Sequence, residues 1–171
     1  MNHLHKPVFP IICFCFIAVL SACAQTEVLE SPDYFRNEAD WFFIGMKPES
    51  KILEIRASDL SELEKEDMSK FTKLETVVIT FTAAPDAPFA EKQTIVAMVK
   101  KNLAYLVRLK DCPALKNVAL QVGERLFLKE SEKFTEEEAV KQNLARAGRE
   151  FADTIKGILP KATIYAHNWG W

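Results

Sequence analysis

Two stretches carry the fold: Ile52-Leu53-Glu54-Ile55-Arg56 and Leu74-Glu75-Thr76-Val77-Val78-Ile79-Thr80-Phe81-Thr82. In each, apolar residues recur at every second position, the period of a half-buried strand. Two further runs behave alike, Leu115 to Val122 and Ala162 to His167. One side of the four collects Leu53, Ile55, Val77, Ile79, Phe81, Val118, Leu120, Val122, Ile164 and Ala166. The other collects Glu54, Arg56, Val78, Thr80, Thr82, Ala119, Gln121, Tyr165 and His167. A parallel sheet covered on both faces reads as continuous apolar runs, so this alternation predicts helices mainly on one face and a mixed face open to solvent.

Helical segments alternate with these strands and leave at least ten residues per crossover, which predicts an α/β fold with a four-stranded parallel sheet and right-handed connections. Leu60, Leu63, Met68 and Phe71 share one face of the first segment, where Ser61 to Glu64 has capping-box spacing. The second runs from Pro88 to Lys110 with Ile95, Val99, Leu103, Leu106 and Leu109 inward, and Pro113 stops it. The third opens on the capping box Thr135-Glu136-Glu137-Glu138, continues through Val140, Leu144, Ala147, Phe151, Ile155 and Ile158, and ends at Pro160. Its acidic first turn reads as a dipole-matched helix start rather than a metal site.

The strand spacing Leu74-x-x-Val77-x-Ile79-x-x-Thr82-x-Ala84, with Leu115-x-x-Val118-x-Leu120-x-x-Gly123 and Leu53-x-Ile55-x-x-Ser58-x-Leu60, resembles the strand portion of leucine-rich repeats. The first period, Leu53 to Val77, is 24 residues, inside the range of that family; the next two, 41 and 46, are longer because full helices replace a short return. Ser58, Thr82 and Gly123 stand where the family carries asparagine. The resemblance implies a right-handed β-α solenoid that binds a protein or small envelope ligand on its open strand face. A small α/β domain of another kind is the alternative.

The N-terminus is a different kind of sequence. A short start containing Lys6 leads into the 13-residue apolar run Val8 to Leu20, the size of a secretory core and short of the roughly 20 residues a spanning helix needs. Leu20-Ser21-Ala22-Cys23 then resembles the lipobox of bacterial lipoprotein signal peptides. That resemblance implies removal of residues 1–22, acylation of Cys23 with chains such as palmitate, and a place in the bacterial cell envelope. Ala24, where inner-membrane retention uses Asp, is similar to outer-membrane sorting. Residues 23–32 would be the lipidated cysteine and tether, and 33–171 one domain. Cleavage after Ala24, releasing a soluble secreted protein, is the alternative. Residues 33–49 hold Tyr34, Phe35, Trp41, Phe42, Phe43 and Ile44, read as an aromatic cap over the first strand's edge or the core end; the alternative is an exposed patch for a partner or lipid.

Without residues 1–22 the chain keeps 21 Lys plus Arg (22 less Lys6) against 24 Asp plus Glu, a net charge of −3 that offers nucleic acid no basic footprint. Cys112 is then its one free thiol and His167 its one histidine, so a Cys/His zinc site is excluded, no cofactor is implied, and a Cys112/His167 dyad is the lone thiol-histidine pairing. The expected binding residues are Arg56, Thr80, Gln121, Tyr165, His167 and Trp169 on the strand face and its ends. The competing enzyme reading uses Glu124, Arg125 and His167 at the strand ends. The lipobox resemblance yields a direct test: wild-type chain should fractionate with membranes and carry acyl mass, and Cys23→Ala should lose both. A soluble, unmodified wild type would end the anchor reading.

Overall fold

The structure, a computed structural model, describes residues 26–81, 89–122 and 134–167, without the side chains of Arg36, 89–93, Val122, 134–145 and His167. Six strands form one all-parallel sheet: β1 (Val28–Glu30), β2 (Asp40–Trp41), β3 (Ile52–Arg56), β4 (Thr76–Phe81), β5 (Asn117–Val122) and β6 (Thr163–His167), ordered β1-β6-β5-β4-β3-β2. Three α-helices accompany them: α1 (Tyr34–Asn37), α2 (Phe89–Asn102) and α3 (Phe134–Ile158). The α/β class and the parallel pairing are as the alternation predicts, but the sheet has six strands, not four. The two extra edge strands come from the segments read as tether and cap, and at three and two residues they are too short for a period-two pattern to register.

Three of the four central strands, β4, β5 and β6, enter the sheet in the same way. Leu74, Leu115 and Ala162 each donate a backbone N–H to the carbonyl three residues earlier, on Phe71, Cys112 and Leu159. These turns stop the strands short of the leading apolar residues that the sequence pattern included. The carbonyl of Lys51 then accepts from Glu75 and Thr76, that of Glu75 from Lys116 and Asn117, and that of Lys116 from Thr163, so the entry turns stack across the sheet.

Strands β2 to β6 step across the sheet in one direction, and a constant right-handed crossover puts every one of their returns on the same face. There Leu53, Ile79, Leu120 and Ile164 pack with Leu60, Leu106, Phe151 and Ile155 in the principal core. The connection from β1 to β2 travels the opposite way, edge to edge, and the same handedness sends it over the other face. Phe35 of α1 lies there with Ile52, Val78 and Ala119 in a second core, its ring 5.2 Å from that of Tyr165, edge to face. The expected open face is therefore half closed: Val78 and Ala119 are each 1% exposed, and Phe35 3%. Arg56 stays exposed, and Thr80 and Tyr165 are half-buried. The aromatic segment does cap the β3 edge through β2, and Phe42 enters the principal core, whereas Tyr34, Trp41, Phe43 and Ile44 remain exposed.

Two of the expected helices differ in kind. Residues Ala57–Lys65 and Leu103–Asp111 are 3₁₀ helices, the second continuing directly from α2. Their buried residues explain this: Ala57, Leu60 and Leu63 in one, and Leu103, Leu106 and Leu109 in the other, fall at every third position. Three residues per turn keep such a row on one line, whereas an α-helix would rotate it by about 60° every three residues. At the switch, Asn102 donates its side-chain N–H to the carbonyl of Ala57 at 2.9 Å, tying the two 3₁₀ segments together. The third helix runs to Ile158 as expected, and Lys156 donates to the carbonyls of Pro160 and Ala162 beyond its end.

Closure of the second face by α1 has a measurable consequence. Phe35→Ala should lower stability to urea by about 3–5 kcal/mol, the usual range for removing a buried Phe side chain. Tyr34→Ala, one position away and exposed, should stay within about 0.5 kcal/mol of wild type.

Candidate functional site

Because parallel strands in register point matching residues to the same face, the expected binding residues form a row. Arg56 pairs with Thr80, Thr80 with Gln121, and Gln121 with His167, across β3, β4, β5 and β6 at their carboxyl ends. Two residues back, the same face carries Trp41, Glu54, Val78, Ala119 and Tyr165 in register from β2 to β6. The strap through α1 covers the middle of this second row; in the first row Arg56 is exposed, Thr80 half-buried and Gln121 buried.

Arg56, Thr80 and Gln121 line a cleft of about 590 Å³ together with Asn37, Trp41, Glu54, Ser58 and Met98. That volume falls in the usual range for small-molecule sites, and the carboxyl ends of parallel strands are where open α/β sheets bind ligands. The Arg56 guanidinium lies over the Trp41 ring, 5.7 Å from its centroid, a cation–π contact that limits the motion of an otherwise exposed side chain. Thr80 Oγ1 donates to the carbonyl of Ile55 over a long 3.5 Å. Glu54 and Gln121 are buried in the wall, and Ser58 sits where β3 passes into the first 3₁₀ helix.

Of the expected residues, three converge here. His167 occupies the next position in the row by backbone register, and its side chain lies outside the described residues, as do Cys23, Glu124, Arg125 and Trp169. Tyr165 is half-buried and packs its ring against Phe35 at the edge of the second core, outside the cleft lining. Trp41, Asn37 and Ser58 were not singled out as binding residues. Trp41 and Asn37 reach the cleft only because the strap carries them across the sheet. Ser58 had a signal, since it stands at the position where leucine-rich repeats place asparagine.

Cys112 lies before the amino end of β5, whereas the backbone of His167 ends β6 at the level of Gln121, about 13 Å beyond Asn117 along the strand direction at 3.3 Å per residue, so the two residues belong to opposite ends of the sheet. The Cys112 thiol is buried and donates to the carbonyl of Met68 at 3.4 Å. Burial first, and the charge of Asp111 second, push its pKa up to about 11. It is a structural thiol and supplies no nucleophile to the cleft. Among the described residues no three of His, Cys, Asp and Glu gather as a metal site, and no helix is long and apolar enough to cross a membrane.

No family model, curated protein or solved structure matches this chain. The cleft must be interpreted from its own chemistry.

The buried thiol predicts a pH signature. Between pH 9.0 and about 11 the unfolded chain loses a thiol proton that the folded chain keeps, so stability should fall with rising pH across that window and level off above it. Cys112→Ala should remove that part of the slope in a difference measurement against wild type, and native Cys112 should resist alkylation at pH 8 until the chain is unfolded.

Proposed function

We propose that this chain is a lipid-anchored binding module of the bacterial envelope that holds a small ligand in the cleft at the carboxyl ends of β3, β4 and β5. The observation that carries this reading is the convergence of Arg56, Thr80 and Gln121, one residue from each of three adjacent strands, with Trp41 in a single concavity. The lipobox-like Leu20-Ser21-Ala22-Cys23 supports the anchor.

The leucine-rich-repeat-like solenoid belongs to the same proposal. It is supported by the 24-residue first period, by the 3₁₀ return at Ala57–Lys65, and by the stacked strand-entry turns. The strap moves the binding surface from the middle of the strand face to the strand ends. Since Val28 already begins β1, the free tether shrinks to residues 24–27, about 13 Å when extended. The β3 end of the cleft stands four strand spacings from β1, about 19 Å, which turns it away from the anchored edge.

The test uses the full chain in detergent, exposed to an envelope extract, with retained small molecules identified by mass spectrometry. Wild type should enrich a discrete compound that the double variant Arg56→Gln, Gln121→Leu retains at least about tenfold less, the scale of losing a charged hydrogen bond. Equal retention by both proteins, or none by wild type, would refute the cleft as the functional site.

A further inference from the structure

Three groups of the cleft have unused hydrogen-bonding capacity, and all favour the same chemistry. The first is the start of the 3₁₀ helix Ala57–Lys65. Its N-cap residue, Arg56, is extended, with φ −72 and ψ 143, and gives the helix no side-chain cap. Ala57 and Ser58, the first two residues of that helix, line the cleft. The Ala57 N–H already donates to the Thr80 carbonyl at the end of the β3–β4 ladder, so Ser58 supplies the leading N–H, whose partial positive charge suits an anion despite Asp59 in the same turn. The second is the Arg56 guanidinium, stacked on Trp41 and without an ion-pair partner among the described residues. The planar fork of a guanidinium matches a carboxylate with two parallel hydrogen bonds.

The third is independent of the helix. Gln121 is 8% exposed, lines the cleft, and its amide has no hydrogen-bond partner among the described residues. Its amide atoms keep a little exposure to the cleft, so a ligand that covers them must offer a group that both donates and accepts. Arg56 and Gln121 are aligned in register with Thr80 between them, two strand spacings apart, about 10 Å between backbones and less between side-chain ends.

We propose that the cleft binds a small carboxylate that carries an amide, such as the C-terminal end of a peptide or an N-acyl amino acid, with the carboxylate on Arg56 and the N–H of Ser58, and the amide on Gln121. This rests on the cleft reading given above and adds the ligand class to it.

N-acetylglycine is the minimal probe, followed by saturation-transfer NMR on the full chain in detergent. It should bind wild type, about tenfold more weakly in Arg56→Gln and in Gln121→Leu, and at an intermediate level in Arg56→Lys, which keeps the charge and loses the fork. N-acetylglycinamide, which lacks the carboxylate, should bind about tenfold more weakly than N-acetylglycine. Should Gln121→Leu unfold, Gln121→Glu serves in its place and should repel the probe. The proposal is overturned if the carboxamide binds as tightly as the acid, if methyl phosphate displaces N-acetylglycine at lower concentration than N-acetylglycine itself, or if N-acetylglycine shows no Arg56-dependent binding. Each of these would remove the ligand class while the envelope-extract experiment decides the cleft separately.

Discussion

Strand order couples everything else in this molecule. From β2 to β6 the chain steps to the next strand in one direction, and right-handed crossovers then have a single face available to them. The buried apolar side chains of the described returns meet the sheet there, which is why Leu53, Ile79 and Leu120 alternate with smaller or polar residues. A doubly wound sheet reverses direction once and distributes its helices. Here the reversal is made only by the N-terminal strap, which carries one short helix to the other face.

The strap gives that second face its mixed character. Its centre is apolar and buried under Phe35, its lower row holds the Asn117 to Thr76 side-chain hydrogen bond at 3.0 Å, and its upper row opens into the cleft. Polar groups under cover need partners, and Asn117 and Thr76 satisfy each other. The edges are managed by brevity: β1 and β2 are three and two residues long, and the loop after β2 is pinned where Ser50 donates to Asp40 at 2.6 Å and accepts from the backbone N–H of Lys47. The strap thus closes a core and builds a wall of the site with the same residues, Asn37 and Trp41 standing two and six positions beyond Phe35.

Some of this was legible in the residues themselves. Alternation around Val77 and Leu120 located the four central strands and their common face, and Thr135 and Pro160 bounded the third helix to within a residue or two. The leucines at 103, 106 and 109 fit one face of a longer helix by sequence although their spacing of three is the mark of a 3₁₀ helix; spacings of three and four coexist in every amphipathic helix, and only contact with the sheet decides between them. Phe35 and Trp41 were recognised as structural aromatics, but not that the first would lie across Val78 and the second beneath Arg56. Nothing local distinguishes a residue that caps an edge from one that crosses a sheet.

Sequence by itself determined the parallel α/β class and the inward set of strand residues, because each follows from period or crossover length. It also aligned Arg56, Thr80 and Gln121 on one face, since a strand's side chains alternate with period two. Tertiary structure alone decided that these three meet in a cleft, with Trp41 and Ser58 at its rim. Register between strands 24 and 41 residues apart, and a strap that returns from the far edge, arise from the packing of the whole chain. Local periodicity says which way a side chain points; only the assembled sheet says what stands opposite it.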